Sequence, residues 1–228
     1  MKVLNLYAGI GGNRKLWKDV EVTAVEMDPK IARIYKDHFP GDTLVIGDAH
    51  QYLLDHFMEF DFIWASPPCP THSRIRKQTL VPRGWVDPIY PNMMLYEEIL
   101  FLQGYFDGKY CVENVISWYD PLIKPQVLGR HYFWANFIIR DKDIEPSLIA
   151  AGTIEELQDR KGFDLSNYNH INKKTILRNC TEPELGALIL DCARGNTQQT
   201  LVASINSKSK RTSIDTKQLR IETGSSKP

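Results

Sequence analysis

An excess of charge of either sign is the first thing this chain lacks: 28 Lys and Arg stand against 28 Asp and Glu, so the formal net charge is zero. The balance is uneven. Residues 203–228 carry six basic side chains against two acidic ones, and the remainder is slightly acidic, which permits contact with a polyanion without demanding it. Cysteine is also scarce. Cys69, Cys111, Cys180 and Cys192 form no Cys-x-x-Cys pair and have no nearby histidine at ligand spacing, which argues against a metal site and a disulfide framework. Long apolar runs are missing too, so neither a membrane span nor a signal peptide is expected, and a reducing cytoplasm is the expected compartment. No internal repeat is found. What remains is 228 residues with 43% hydrophobic and 11% aromatic content, enough for one α/β domain and a small insertion.

Within that frame, Ser66-Pro67-Pro68-Cys69-Pro70-Thr71-His72-Ser73 is the most constrained stretch. It follows the apolar run Phe60-Asp61-Phe62-Ile63-Trp64-Ala65, which reads as a buried strand, so Cys69 is expected at a strand's carboxyl end. Open α/β sheets bind their ligands there. Three prolines in four positions keep the loop out of helix and sheet ladders. A thiol held this way is either a nucleophile or a buried structural cysteine, and its surroundings must decide.

Taken in order, Val3-Leu4-Asn5-Leu6-Tyr7 is a strand running into Ala8-Gly9-Ile10-Gly11-Gly12, with a helix start expected near Leu16-Trp17-Lys18. That arrangement would aim backbone amides and a helix dipole at a nucleotide-like ligand; the bland reading is a tight turn. Arg14 stands where the dinucleotide fingerprint needs glycine, which counts against NAD. A second strand ends in Glu26-Met27-Asp28, where an acid can hold two ribose hydroxyls, and a helix follows from Pro29. A third ends in Gly47-Asp48-Ala49, placing Asp48 where an adenine amino group can donate to it. Beyond Cys69, the loop with Arg74, Arg76, Lys77 and Arg83 is basic and reads as a lid that contacts phosphates. Residues 92–104 have helical periodicity and read as core. Tyr110-Cys111-Val112 is a strand carrying Glu113 to the same sheet edge as Cys69, and residues 126–134 read as an aromatic strand or strand pair. Thr175–Cys180 resumes the domain, residues 183–192 read as a helix, and the chain from Ala203 onward is expected to be disordered.

The ordered set resembles the cytosine-C5 DNA methyltransferases, and the compact phage and prophage members in particular. Leu6-Tyr7-Ala8-Gly9-Ile10-Gly11-Gly12 is similar to the family's first motif, Pro67-Pro68-Cys69 to its nucleophile motif and Glu113-Asn114-Val115 to its Glu-Asn-Val motif. Gln126 and Arg130 fit the outer positions of Gln-x-Arg-x-Arg, with Leu128 in place of the middle arginine, and Arg178-Asn179 resembles the last motif. The resemblance implies an α/β, Rossmann-like S-adenosylmethionine-dependent methyltransferase fold, a mostly parallel sheet with helices on both faces. It implies Cys69, Glu113 and Arg130 as catalytic residues. Tyr7, Gly9, Gly11, Gly12, Glu26, Met27, Asp48, Ala49, Pro68 and Asn179 would bind S-adenosylmethionine, with S-adenosylhomocysteine as product. Ser73, Arg74, Arg76, Lys77, Arg83 and Gln126 would contact double-stranded DNA. No metal or membrane is implied, and a monomer is expected. Two departures stand out: Pro70 replaces the glutamine that usually follows the nucleophile, and target recognition is reduced to residues 136–175.

The implied organisation is a catalytic domain of residues 1–135 and 176–202, the insertion 136–175 and the basic tail 203–228. The chemistry accounts for the residue types on its own terms. A thiolate adding at C6 of cytosine makes C5 nucleophilic, with thiol ionisation favoured by the basic segment beside Cys69. Glu113 would serve N3, and Arg130 would stabilise charge at O2. A base inside a duplex must be flipped out for this. The competing readings are an RNA cytosine-5 methyltransferase of the tRNA type, a non-catalytic nucleic-acid-binding paralogue and an NAD enzyme.

Overall fold

Seven short apolar runs pair into one sheet in the computed structural model, which describes residues 1–140 and 152–195. They are β1 (Lys2–Leu6), β2 (Glu21–Glu26), β3 (Thr43–Ile46), β4 (Phe62–Ala65), β5 (Lys109–Val115), β6 (Gln126–Leu128) and β7 (His131–Ala135). The spatial order is β3-β2-β1-β4-β5-β7-β6. Pairing is parallel from β3 through β5, and β7 and β6 add an antiparallel edge. The helices are α1 (Pro29–His38), α2 (Ala49–His56), α3 (Met94–Tyr105), α4 (Ile154–Lys161), α5 (Lys173–Asn179) and α6 (Pro183–Ala193).

Strand order reverses between β1 and β4, and the crevice at such a switch point is where open α/β sheets place ligands. Both strands are buried on both faces there, as parallel strands covered by helices must be. Leu4, Leu6, Ile63, Ala65, Val112 and Trp134 face Leu95, Ile99 and Leu102 of α3. Val3, Phe62, Trp64, Cys111 and Phe133 face Trp17 and the α6 residues Leu185, Leu188 and Ile189. The expected mostly parallel α/β sheet with helices on both faces is what forms.

Residues 126–134 resolve as a hairpin. Leu128 pairs with His131, leaving Gly129 and Arg130 as a two-residue turn, and Gly129 supplies the positive φ of +57° that such a turn needs at its first position.

One expectation is corrected. No helix begins near Leu16-Trp17-Lys18; residues after the glycine turn form successive turns. Tertiary contacts hold them. Asn13 donates its side-chain amide to Asn5 at 2.7 Å, Arg14 pairs with Asp42 at 2.8 Å, and Trp17 Nε1 donates to the Gly186 carbonyl at 2.9 Å. A Cβ at Gly186 would collide with the Asn13 backbone, so α6 presses directly on this segment. A helix dipole therefore takes no part at the glycine turn.

Of the stretch 136–175, residues 141–151 lie outside the described residues, as does the tail 203–228. The described part folds back on the first half of the chain: Leu157, Phe163 and Leu165 pack with Ile10, Ile34, Leu177 and Cys180.

Candidate active site

Three strand ends build the first part of the crevice. After β1 the chain turns through left-handed φ at Tyr7 (+56°), Gly9 (+55°) and Gly11 (+85°). This turn carries Gly9 N–H to Glu26 Oε2 at 2.9 Å, while Asp28 N–H donates to Glu26 Oε1 at 2.9 Å. Two backbone amides thus orient the carboxylate and leave each oxygen a second lone pair for a diol. A Cβ at Gly11 would overlap the rings of Phe39 and Tyr35, and one at Gly12 would overlap Cys180 and the Thr181 carbonyl. Asp48 caps α2, accepting from His50 N–H at 2.8 Å and Gln51 N–H at 3.3 Å through Oδ1 alone. Met27 is exposed beside Glu26, Ala49 is buried behind Asp48, and Asn179 ends α5 next to the Cys180 that abuts Gly12.

A cluster invisible in the motif reading lies behind this rim. Glu98, on the core face of α3, is fully buried. Tyr7 Oη donates to Glu98 Oε1, which also lies 3.0 Å from His50 Nδ1. Glu98 Oε2 is buried with no hydrogen-bond partner among the described residues. Burial pushes the Glu98 carboxyl above its ordinary range, and burial beside Glu98 pushes the Tyr7 hydroxyl up as well. The signal was an acid between Leu95 and Leu102 on an apolar helix; its partner, 91 residues away in Tyr7, was beyond local pattern.

The second part is the cysteine loop. Ser66 N–H reaches back to the Leu6 carbonyl at 3.4 Å, and Asn114 Nδ2 donates to the Pro67 carbonyl at 2.9 Å, tying the loop to β1 and β5. His72 and Ser73 N–H both donate to the Cys69 carbonyl, at 3.0 and 3.1 Å. Pro68 is exposed and Cys69 is half-buried. Burial and the nearby Glu113 charge push the Cys69 thiol up to about 11. This corrects the expected ionisation of the thiol by basic neighbours: burial and the Glu113 charge outweigh them, while Arg74 Nε donates to the Ser117 carbonyl at 3.0 Å and Arg76 Nη2 to the Asp87 carbonyl at 2.8 Å.

Glu113 is nearly buried at the end of β5, and its Oε1 lies 3.5 Å from His131 Nε2. Arg130 is exposed at the tip of the β6–β7 turn, and among the described residues no hydrogen bond or ion pair joins it to Glu113. The side-chain amide of Gln126 is turned inward, donating to the Phe137 carbonyl at 2.8 Å and accepting from Ile139 N–H at 2.8 Å.

The basic loop has more structure than expected, with a π-helical turn at Arg76–Leu80. Lys77 Nζ sits 5.1 Å from the centre of the Trp118 ring and Arg83 Cζ 4.9 Å from that of Trp85. Ser73 bridges to Ser117, which fastens the loop's root to the segment after β5. Trp85 is 63% and Tyr90 95% exposed, so aromatic faces interleave with cations along this rim. Among the described residues no cluster of three or more His, Cys, Asp or Glu is placed to hold a metal, and no helix is long and apolar enough to cross a membrane.

Residues 1–87 match the family model of the C-5 cytosine-specific DNA methylases. The chain is also similar to the human tRNA (cytosine(38)-C(5))-methyltransferase, 31% identical over 85 residues that make up 34% of this chain and 22% of that protein. It therefore spans under a quarter of the length of that relative. Among solved structures, the Entamoeba histolytica methyltransferase EhMeth is 12% identical with a TM-score of 0.54, covering 86% of this chain and 98% of that one, a likeness of fold. A Spodoptera frugiperda DNMT2 mutant is 30% identical over 50% of this chain and 35% of its own, with a TM-score of 0.35.

Proposed function

We propose, from the match of residues 1–87 to the family model of the C-5 cytosine-specific DNA methylases, that the chain methylates C5 of a cytosine in double-stranded DNA with Cys69 as the nucleophile. The observation that carries this reading is the placement of Cys69 and Glu113 by the paired parallel strands β4 and β5, with Asn114, next to Glu113, tying the cysteine loop by the Pro67 carbonyl at 2.9 Å.

The rim fits S-adenosylmethionine. Glu26 has lone pairs directed by two amides, Asp48 has Oδ2 outside its cap, and Gly11 and Gly12 hold the turn where side chains would collide. Tyr7, Gly9, Met27, Ala49, Pro68 and Asn179 complete the proposed cradle. When bound, S-adenosylmethionine supplies the electrophilic methyl group that C5 accepts, leaving S-adenosylhomocysteine.

The chain's own groups do the rest. With its thiol near 11, Cys69 is ionised in only about one molecule in ten thousand at pH 7, so its proton leaves as the base is engaged. Sulfur bonds to C6, and the displaced electron pair is carried through C5 and N3. The Glu113 carboxylate takes up the Cys69 proton and delivers it to N3. Once C5 is methylated, its hydrogen leaves as a proton to solvent water, the C5–C6 double bond re-forms and the C6–S bond breaks, the sulfur recovering the proton held at N3. Arg130 is assigned the O2 oxygen of the ring. Ser73, Arg74, Arg76, Lys77 and Arg83 are assigned to the nucleic acid, together with the exposed aromatic faces of the same rim, whereas Gln126 holds the backbone of Phe137 and Ile139.

The catalytic part is residues 1–135 and 176–202, with target recognition in 136–175; the protein works as a cytoplasmic monomer. An RNA substrate is the second reading, favoured by the likeness to a human tRNA methyltransferase. Tritium-methyl incorporation into duplex DNA and into tRNA separates the two. Transfer to DNA that disappears in Cys69→Ser is expected; transfer to tRNA alone would overturn the DNA reading, and undiminished transfer by the variant would overturn the nucleophile.

A further inference from the structure

The turn between β6 and β7 offers two side chains to the site, and sheet register decides between them. Val115 stands opposite His131 and Glu113 opposite Phe133. Directly opposed residues of an antiparallel pair project to the same face, as do residues two apart on one strand. Glu113, Val115, His131 and Phe133 therefore share a face. Arg130 precedes the strand, in the turn itself. The side chains agree with the register: His131 Nε2 lies 3.5 Å from Glu113 Oε1, and the His131 ring packs edge-on to Phe133 at 6.2 Å. The Glu113 side chain is 10% exposed and that of His131 29%, so the histidine covers the solvent side of the carboxylate.

We infer that His131 is a positioning residue for the methyl transfer, holding Glu113 by Oε1 so that Oε2 is presented to the ring beside Cys69. This rests on the proposed catalytic role of Glu113. A carboxyl group swings readily about its terminal torsion, and a proton aimed at one ring nitrogen needs that torsion held. Among the described residues no backbone amide does this for Glu113 in the way two amides do it for Glu26. At 3.5 Å, His131 Nε2 stands within ion-pair reach of Oε1, and a proton on Nε2 that closes onto it leaves the other oxygen for the substrate. Phe133 holds the ring from one side, and the tight Gly129–Arg130 turn fixes where the strand begins.

The test compares His131→Leu, which keeps bulk, with His131→Gln, which keeps a donor. Single-turnover rates, KM for the nucleic acid and melting temperature are measured on the full chain, with Glu113→Gln beside them. His131→Leu is expected to lower the methyl-transfer rate about 10- to 100-fold with KM within about twofold, and His131→Gln to recover most of the loss. A rate within twofold of wild type in His131→Leu, or a His131→Gln no faster than His131→Leu, overturns the inference. If Glu113→Gln itself keeps full rate, the role of Glu113 fails and takes this inference with it; if Glu113→Gln is slow while His131→Leu is not, the inference fails alone.

Discussion

The parallel half of the sheet and its β5–β7 edge position their functional groups by different means. On the parallel side, backbone amides do the work: Gly9 and Asp28 hold Glu26, while His50 and Gln51 hold Asp48. No substitution other than proline removes these donors. On the other side, side chains do it: Asn114 holds the cysteine loop by the Pro67 carbonyl, and His131 meets Glu113. Apart from Gly9 with its left-handed φ, a rim built on amides keeps its donors when the residues that supply them change, whereas a catalytic edge built on side chains is open to single substitutions. Changes at the edge should therefore appear in the rate of transfer, and changes at the rim in cofactor affinity.

The sharpest division comes from Cys69→Ser. Methyl transfer should fall by roughly 10³-fold or more while S-adenosylhomocysteine binding by calorimetry stays within about twofold. Parallel loss of binding would erase the distinction between the two regions. Asn114→Ala follows. It strands the buried Pro67 carbonyl, so a denaturant midpoint should report a loss of about 1–3 kcal/mol. The loosened loop should also slow transfer by roughly 10-fold or more; an unchanged rate would show that Asn114 does not position Cys69.

How far each region could be read without coordinates follows the same line. The ends of β1 to β4 were legible because each is a short apolar run closing on a local cue: glycines, Glu26, Asp48 and a proline-bound cysteine. What escaped depended on partners distant in sequence. The expected helix after Gly12 fails because Asn13 and Arg14 are drawn to Asn5 and Asp42. Glu98 sat in a run read simply as core, and its role behind the rim needs Tyr7 and His50 beside it. His131 was passed over for Arg130 because motif spacing counts residues along the chain, while register counts them across strands. The direction of the Cys69 shift escapes for a related reason: it is set by burial and by Glu113, which lies on another strand, and not by the basic residues close in sequence.

The thiol itself gives a test of about tenfold size. With Cys69 near 11, its alkylation by iodoacetamide should rise about tenfold per pH unit from 7 to 10. Glu113 disfavours the thiolate by charge, so Glu113→Gln lowers the thiol pKa and speeds alkylation at pH 8. A plateau below pH 9 in the wild type would break the account of Cys69. At the rim, Tyr7→Phe removes one of the two partners of buried Glu98, with an expected loss of about 1 kcal/mol and a severalfold weaker cofactor. Transfer at saturating cofactor should stay near wild type; a fall there would place Tyr7 with the catalytic edge instead.

The smallest effect belongs to α4, far along the chain from either region. Thr153 and Glu156 form a capping box: Glu156 N–H donates to Thr153 Oγ1 at 3.2 Å and Thr153 N–H to Glu156 Oε2 at 2.8 Å. Thr153→Ala should cost about 1 kcal/mol in a denaturant titration. The helix it starts buries Leu157 against Ile10 and Ile34, beneath the glycine turn rather than beside Cys69. Fraying there should reach the turn before it reaches the nucleophile. Any functional trace of Thr153→Ala is therefore expected in S-adenosylhomocysteine affinity, at twofold or less, with the single-turnover rate unchanged. A slower rate at unchanged affinity would mean that α4 supports the catalytic edge, and the division between amide-held rim and side-chain-held edge would no longer describe how this part of the chain is used.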